Sequence, residues 1–274
     1  MALARFLVEQ IPEKGDVRLD ESESNHAAKV LRVELGEDAI VFDGHGYEGF
    51  GVIQELRKRE VIIRILGRRF APRDHDGRLL FAIAMPKGER QRNVIERAVE
   101  LGVDRLVPLH TFRSVAKLDE DAIRRLERYG LEACKQCQRN RRMQIDPAMD
   151  MKALTAWIQS DPSIQAWVLH PSRTASSMHD FTRWSTHHVE YAVPMSRKLL
   201  FLIGPEGGFT GEEVEHCRAS GCHVLNLGER ILRVETAVAT AATLGQWVLN
   251  LASPPSPSEP LINTGDLETV VEDG

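Results

Sequence analysis

The sequence predicts an α/β protein, a mostly parallel sheet covered by helices, preceded by a small N-terminal β-barrel. Three observations carry that prediction. From Leu79 to Leu251, short apolar runs alternate with stretches of helical spacing, the pattern of strands buried on both faces. Residues 1–70 instead hold several short, β-branched runs and one helical stretch, which suits a small barrel. Between the two, Ala71-Pro-Arg-Asp-His-Asp-Gly77 interrupts with proline, glycine and charge and reads as a linker.

In the barrel region, Arg5–Val8, Ala39–Asp43, Phe50–Ile53 and Val61–Leu66 have strand composition. Ser24 to Val33 is helical, with Ala27, Val30 and Leu31 as its apolar face. Asp43-Gly-His-Gly-Tyr-Glu-Gly49 spells G-x-G-x-x-G after a strand, but a dinucleotide site needs a helix to open at the third glycine. Another strand follows, so these glycines are read as a hairpin connection needing positive φ.

In the second region, strands are expected at Leu79–Ala84, Val103–Leu109, Gln165–Leu169, Leu199–Ile203 and His223–Leu227. Helices are expected at Glu89–Leu101, which Gly102 stops, and at Asp119–Gln138, Met151–Ile158, Glu212–Ala219 and Val234–Leu251. Ser253 onward (Ser-Pro-Pro-Ser-Pro-Ser-Glu-Pro) has the composition of a disordered tail. The expected division is a barrel over 1–72, an α/β domain over 73–251 and an acidic tail over 252–274.

A chain of 274 residues can bury a sizeable core, and 42% hydrophobic with 27% charged residues is ordinary for a globular protein. No apolar run approaches the roughly 18–20 residues of a membrane helix. In Met1 to Glu9 a short apolar stretch meets Glu9 at once, which is not a secretory pattern. A cytoplasmic protein is expected. The net charge of −5 is uneven, because residues 252–274 hold Glu259, Asp266, Glu268, Glu272 and Asp273 and no Lys or Arg. Within the neutral remainder, Arg64 to Arg92 holds eight basic and three acidic residues, and Arg124 to Arg142 seven and two. Such segments can bind phosphate, although solvated helix faces are the simpler reading of charge alone. Cys134-Lys-Gln-Cys137 lies in helical spacing without turn residues, and Cys217 and Cys222 are far downstream. Reduced, partly buried thiols are therefore expected, with no metal and no disulfide.

Ile203-Gly-Pro-Glu-Gly-Gly-Phe-Thr210 follows a buried strand, the usual place for a ligand in an open α/β sheet. Thr210 and Glu213 form a T-x-x-E capping box for the next helix. There is no Gly-Lys-Ser/Thr, and Glu206 would repel a phosphate, so a phosphate-loop nucleotide enzyme is disfavoured. A carboxylate beside exposed backbone suits a cationic or ribose-bearing ligand, while a bare turn stays open as the alternative. A second strand-to-helix corner follows at Leu227-Gly-Glu-Arg-Ile-Leu-Arg-Val-Glu-Thr236. Its helix is rich in small residues, from Ala237 to Gly245, suited equally to a tight core or a subunit interface.

Together, Gly204-Pro-Glu-Gly-Gly-Phe209 and Leu227-Gly-x-Arg-Ile-Leu-Arg-x-Glu-Thr-Ala237 resemble the C-terminal signature of the RsmE family, bacterial 16S ribosomal RNA (uracil-N3) methyltransferases. Matches at His26, Val30-Leu-Arg32, Phe42-Asp-Gly44, Lys87-Gly88, Glu100-Leu-Gly-Val103, Arg113-Ser114, Glu132-Ala133, Gln136 and Arg139 extend the resemblance over about residues 5–250. Two departures are a missing proline before Ile145 and Val234 where threonine is more usual. The resemblance implies a PUA-like RNA-binding barrel and a SPOUT-type domain with a trefoil knot. It also implies a homodimer acting on 16S rRNA of the small ribosomal subunit, with S-adenosyl-L-methionine as cofactor. Ile203, Gly204, Gly208, Leu227, Ile231, Leu232 and Ala237 would then surround the cofactor, with Pro205, Glu206, Gly207, Leu225, Gly228 and Thr236 completing the pocket.

Uracil N3 carries a proton and is a poor nucleophile, so a base or a cation beside O2 or O4 is needed. Arg233 is the candidate cation, and Glu206 or Glu235 the candidate base. Alternatively, Arg233 holds RNA phosphate, Glu235 pairs with an arginine and Glu206 fixes its loop. Arg5, Arg32, Lys87, Arg113 and Arg139 are the expected RNA contacts, since guanidinium groups grip phosphate in two places. For Arg32 and Arg139 an internal ion pair is the competing reading. A second functional class also fits: an RNA- or ribosome-binding protein of this fold with another target nucleotide or no turnover.

Overall fold

The computed structural model describes residues 3–57, 60–74, 78–116, 118–172, 174–190 and 198–252, with the side chains of 186–190 and 250–252 left out. The expected acidic tail beyond Ala252 lies outside the described residues.

The N-terminal strands form a five-stranded sheet in the order β1 (Ala4–Leu7), β3 (Asp38–Phe42), β4 (Tyr47–Arg57), β5 (Glu60–Phe70) and β2 (Gly15–Arg18). Along β5, Val61, Ile63 and Ile65 alternate inward and meet Phe6, Val41 and Ile53 in one apolar cluster. β2 was not predicted: Gly-Asp-Val-Arg offers one inward residue, Val17, and becomes a strand through its antiparallel pairing with β5. The β3–β4 glycine stretch is a hairpin. Gly44 and Gly46 have φ of 76° and 116°, and the Asp43 carboxylate accepts the N–H groups of His45, Gly46 and Tyr47.

The helix of this region departs from expectation. α1 (Glu21–Asn25), capped by Asp20, continues as a π-helical turn over His26–Leu31. Only Ala27 is buried; Val30 and Leu31 are 66% and 43% exposed. The wider i→i+5 turn rotates later side chains off the α-helical stripe, so spacing of three and four no longer defines one face.

The second sheet runs in the order β12 (His223–Leu225), β10 (Ile164–Leu169), β11 (Lys198–Ile203), β6 (Arg78–Ile83), β7 (Arg105–His110) and β8 (Gln144–Ile145), with β9 (Met149–Asp150) beside β7. Every described pairing in it is parallel. Both faces are buried, which the period of two makes explicit. Leu79, Phe81, Ile83, Leu199, Phe201 and Ile203 join α2 (Arg90–Glu100), α3 (Glu120–Cys137) and α7 (Val234–Ala252) in one cluster. Leu80, Ala82, Leu200 and Leu202 face the other way, onto Leu154 and Ile158 of α4 (Met151–Ser160) and Val214 of α6 (Gly211–Ala219).

α5 (Met178–Glu190) was not predicted, because its described apolar anchors are few: Phe181 is fully buried and Trp184 packs beside it. Its signal was local. Ser177 and Asp180 exchange backbone-to-side-chain bonds at the helix start, an S-x-x-D form of the capping box. On α7, Ala237, Ala241, Ala242 and Gly245 let the helix lie close on β6 and β11. A Cβ at Gly245 would stand 2.6 Å from Leu79 Cδ1 and 3.2 Å from Phe201 Cε2.

The two sheets meet across a buried polar joint. The Glu48 carboxylate accepts from Arg69 (2.7 Å), Arg73 (3.1 Å) and Asn140 (2.8 Å), while Arg5 bonds Asn140 and lies 3.6 Å from Glu48. Burial alone would raise the Glu48 pKa; bonds from Asn140 and Arg69 and the charge of Arg73 outweigh it and hold the carboxyl below its usual range. Asp74, in the predicted linker, is buried and accepts from Arg139 at 2.8 Å. The joint thus takes in part of the predicted linker.

The joint corrects two expected RNA contacts. Arg5 and Arg139 are 7% and 4% exposed and already paired, so neither guanidinium reaches a phosphate at the surface. Much of the two basic segments is consumed in the same manner. Arg69, Arg73, Arg139 and Arg141 serve the joint, as does Lys135 through Glu23 at 2.6 Å.

Candidate active site

The C-terminal ends of three neighbouring strands, β12, β10 and β11, open onto one cavity of about 240 Å³, the size of a small ligand rather than a polymer. The first wall is the Gly204–Phe209 loop after β11. Gly208 N–H donates to Pro205 O at 2.8 Å, and Gly208 sits at φ 67°. The loop ends in the capping box of α6, with Thr210 and Glu213 bonded reciprocally. The second wall is the 226–233 loop after β12, where Gly228 at φ 123° turns the chain and donates to Asn226 Oδ1. The third is His170 and Pro171, following β10.

Ile203, Gly204, Pro205, Glu206, Gly207, Gly208, Leu225, Leu227, Gly228, Ile231, Leu232 and Ala237 all line this cavity. Thr236 does not; it is exposed on the first turn of α7. Arg113 lines it too, its guanidinium donating to Gly207 O at 2.6 Å. Arg233 is exposed at the start of α7, where its carbonyl accepts from Ala237 N–H. Arg32 and Lys87 are exposed and lie outside the lining.

The two candidate bases share one cation. Arg90, in the first turn of α2, donates to Glu206 at 2.7 Å and to Glu235 at 2.8 Å. Its hydrogen bond to Glu235 is the main reason that carboxyl sits below its usual pKa, with Arg90 and Arg233 adding charge. A carboxylate so stabilised takes up a proton less readily, which disfavours Glu235 as a general base. The sequence did not identify Arg90, nor Asn226, Arg230 and His170 of the lining.

His170 is the informative one. Burial first, then the charge of Arg218, lowers its pKa, so the ring is neutral at neutral pH. Its Nδ1 is buried and has no hydrogen-bond partner among the described residues. An unsatisfied buried nitrogen in a residue of the cavity wall is costly, and a bound ligand can offer it a partner. Apolar walls from Leu225, Leu227, Ile203 and Leu232, exposed backbone at two glycine loops and the anionic Glu206 fit a flat heteroaromatic group joined to a cationic, ribose-bearing part. S-adenosylmethionine has that chemistry. Arg90 partly neutralises Glu206, so the lining, more than repulsion, argues against a polyphosphate.

A family model of an RNA methyltransferase domain matches residues 74–246, and one of an RNA methyltransferase PUA domain matches residues 19–66. The ribosomal RNA small subunit methyltransferase E of Bacillus subtilis is 27% identical over 240 residues, 86% of this chain and 93% of its own. Its counterpart from Mycobacterium bovis is 28% identical over 246 residues, 88% and 90% of the two chains. A Legionella pneumophila protein solved in complex with the bound cofactor SAM superposes with a TM-score of 0.78 at 27% identity, covering 90% of this chain and 98% of that one. A ribosomal RNA small subunit methyltransferase E from Neisseria gonorrhoeae shares the fold at TM-score 0.78 and 24% identity, with the same coverage. The fold and the cavity thus come with matches along nearly the whole described chain, and the protein belongs to the RNA methyltransferase family that includes the ribosomal RNA small subunit methyltransferase E proteins.

Proposed function

We propose that this chain transfers a methyl group from S-adenosylmethionine to N3 of a uridine in the 16S RNA of the small ribosomal subunit. The observation that carries the proposal is the cavity at three parallel strand ends, walled by the two loops of a chain in the RNA methyltransferase family. When bound, the cofactor supplies an electrophilic methyl on a sulfonium.

The protein's own residues do the rest. Leu225, Leu227 and Ile203 exclude water from one end of the cavity, and the glycine loops offer backbone donors and acceptors. Arg90 holds both walls in register through Glu206 and Glu235. Arg233, exposed beside the mouth, is the proposed cation for negative charge that develops on the uracil imide as N3 loses its proton. Glu206 lines the cavity and Glu235 does not, so Glu206 is the better-placed carboxylate to share that proton. Arg32, Lys87 and Arg113 are the proposed phosphate contacts.

We further propose a cytoplasmic homodimer of SPOUT type whose C-terminal helix is knotted. Among the described residues no helix is long and apolar enough to cross a membrane. Calorimetric titration tests the cofactor assignment: S-adenosylmethionine should bind once per chain and ATP should not compete. Arg233→Ala should slow turnover with cofactor affinity unchanged. Full turnover with unchanged RNA affinity would remove Arg233 from the chemistry.

A further inference from the structure

Beside the cofactor cavity, the turn after β7 holds an aromatic ring in water. Phe112 is 85% exposed, which leaves its apolar surface in water among the described residues. Yet its backbone is held by several hydrogen bonds. Thr111 and Ser114 bond each other through backbone and hydroxyl at 2.9 to 3.1 Å. Phe112 N–H donates to Glu213 Oε1 at 2.8 Å, while the other oxygen of Glu213 caps Thr210 at the end of the cofactor loop. The next residue, Arg113, is tied to Gly207 O. The backbone that carries the ring is therefore held relative to the cavity through both of its chain neighbours and through the capping box.

We infer that Phe112 is a stacking platform for a base of the RNA substrate, next to the nucleotide that enters the cavity. The inference rests on the functional reading above. A shallow depression runs from the ring along Thr210 and Gly211 to Lys152, continuous with the loop that walls the cavity. A single ring flanked by the cations Arg113 and Lys152 matches what a strand of RNA presents, a flat π-face beside a phosphate. A protein partner would need a contiguous apolar patch of several hundred Å², whereas this depression is smaller than that and sets Met151 and the ring among Lys152, Thr210, Glu212 and His216. Glu213 there is already committed to two backbone donors, which leaves Glu212 as the free carboxylate to be tolerated.

The test compares Phe112→Ala, Phe112→Leu and Phe112→Trp with the wild type. Isolated small ribosomal subunits lacking the methyl mark serve as probe, and retention is measured with S-adenosylhomocysteine present. Removing one stacked base contact weakens binding by about tenfold or more. Ala and Leu should both show that loss and raise KM for the subunit with kcat little changed. Trp should stay within about twofold of wild type, and cofactor affinity and Tm should be the same in all four proteins. The platform is overturned if Ala binds the particle as tightly as wild type, if Leu fully replaces Phe, or if Ala alters the molar mass in light scattering, which would make the ring a subunit contact. A wild type that binds no particle would remove the functional reading, and this inference with it.

Discussion

One guanidinium decides how two carboxylates of the site behave. Glu206 lies in the loop after β11 and Glu235 in the first turn of α7, and Arg90 reaches both, across 116 and 145 residues of chain. Charged hydrogen bonds contribute about 1.5–3 kcal/mol each when shielded, but Arg90 is 35% exposed, so about 1–2 kcal/mol in total is the better figure. Arg90→Ala should therefore cost up to about 1–2 kcal/mol of stability, a fall of a few degrees in Tm, and lower cofactor affinity by at most roughly five- to thirtyfold. Arg90→Lys should fall between, because a point charge cannot fork to two partners. Calorimetry on the three proteins checks it; equal affinities would show that the loops hold their register without the clamp. The carboxylates themselves were legible in the sequence, and the glycines between them were too, because turn chemistry is local. Their shared cation was not. Arg90 sits in an ordinary helical stripe, and only the fold brings its turn beneath the two loops. His170 escaped for a similar reason, since an unpaired ring nitrogen has no sequence signature.

Elements were readable where period and caps agreed. α3 was expected from Asp119 to Gln138; Asp119 is its N-cap and Gln138 its left-handed C-cap. The strands of the second sheet were equally legible, because two-sided burial leaves continuous apolar runs. The failures had physical causes: β2 borrows its order from β5, α5 packs through few apolar side chains, and the π turn rotates Val30 and Leu31 into water. For α7 the sequence left core and interface equally open, and for its buried face the structure answers core. Gly245 faces Leu79 and Phe201, both fully buried with little room to move. Gly245→Ala gains up to about 1 kcal/mol of helix propensity but overpacks at a cost of about 1–3 kcal/mol. A net loss of about 1 kcal/mol is expected in urea unfolding, and a more stable variant would mean that α7 can slide on the sheet.

On the scale of the whole molecule, five of the fifteen cations in the two basic segments serve the joint between the two sheets: Arg69, Arg73, Lys135, Arg139 and Arg141. Charge counts showed that cations cluster at Arg64–Arg92 and Arg124–Arg142, but not that Glu48, Asp74, Asp104 and Glu23 pair with several of them in and around the joint. Glu48→Gln leaves Arg5, Arg69 and Arg73 without their counter-charge. Breaking a buried pair costs about 3–5 kcal/mol; Arg69 and Arg73 partly reach water, so about 2–4 kcal/mol is expected. The sign of its pH dependence follows from a folded pKa held below the ordinary 4.5. The contribution of Glu48 is complete above that value and is lost as pH falls through the folded pKa. The Tm gap between wild type and Glu48→Gln should thus be constant from about pH 7 to 5 and shrink towards pH 3. A gap that widened in acid would contradict the ion-paired joint.

The central claim is that the two-loop cavity delivers a methyl group to RNA, and transfer can be read directly. Purified protein is incubated with S-adenosylmethionine carrying an isotopically labelled methyl group and with small ribosomal subunits lacking the mark. The RNA is then digested and its nucleosides are identified by mass spectrometry. The account predicts label on N3 of a single uridine of the 16S RNA. Label on another atom or nucleotide, or none from a protein that binds the cofactor, would contradict it.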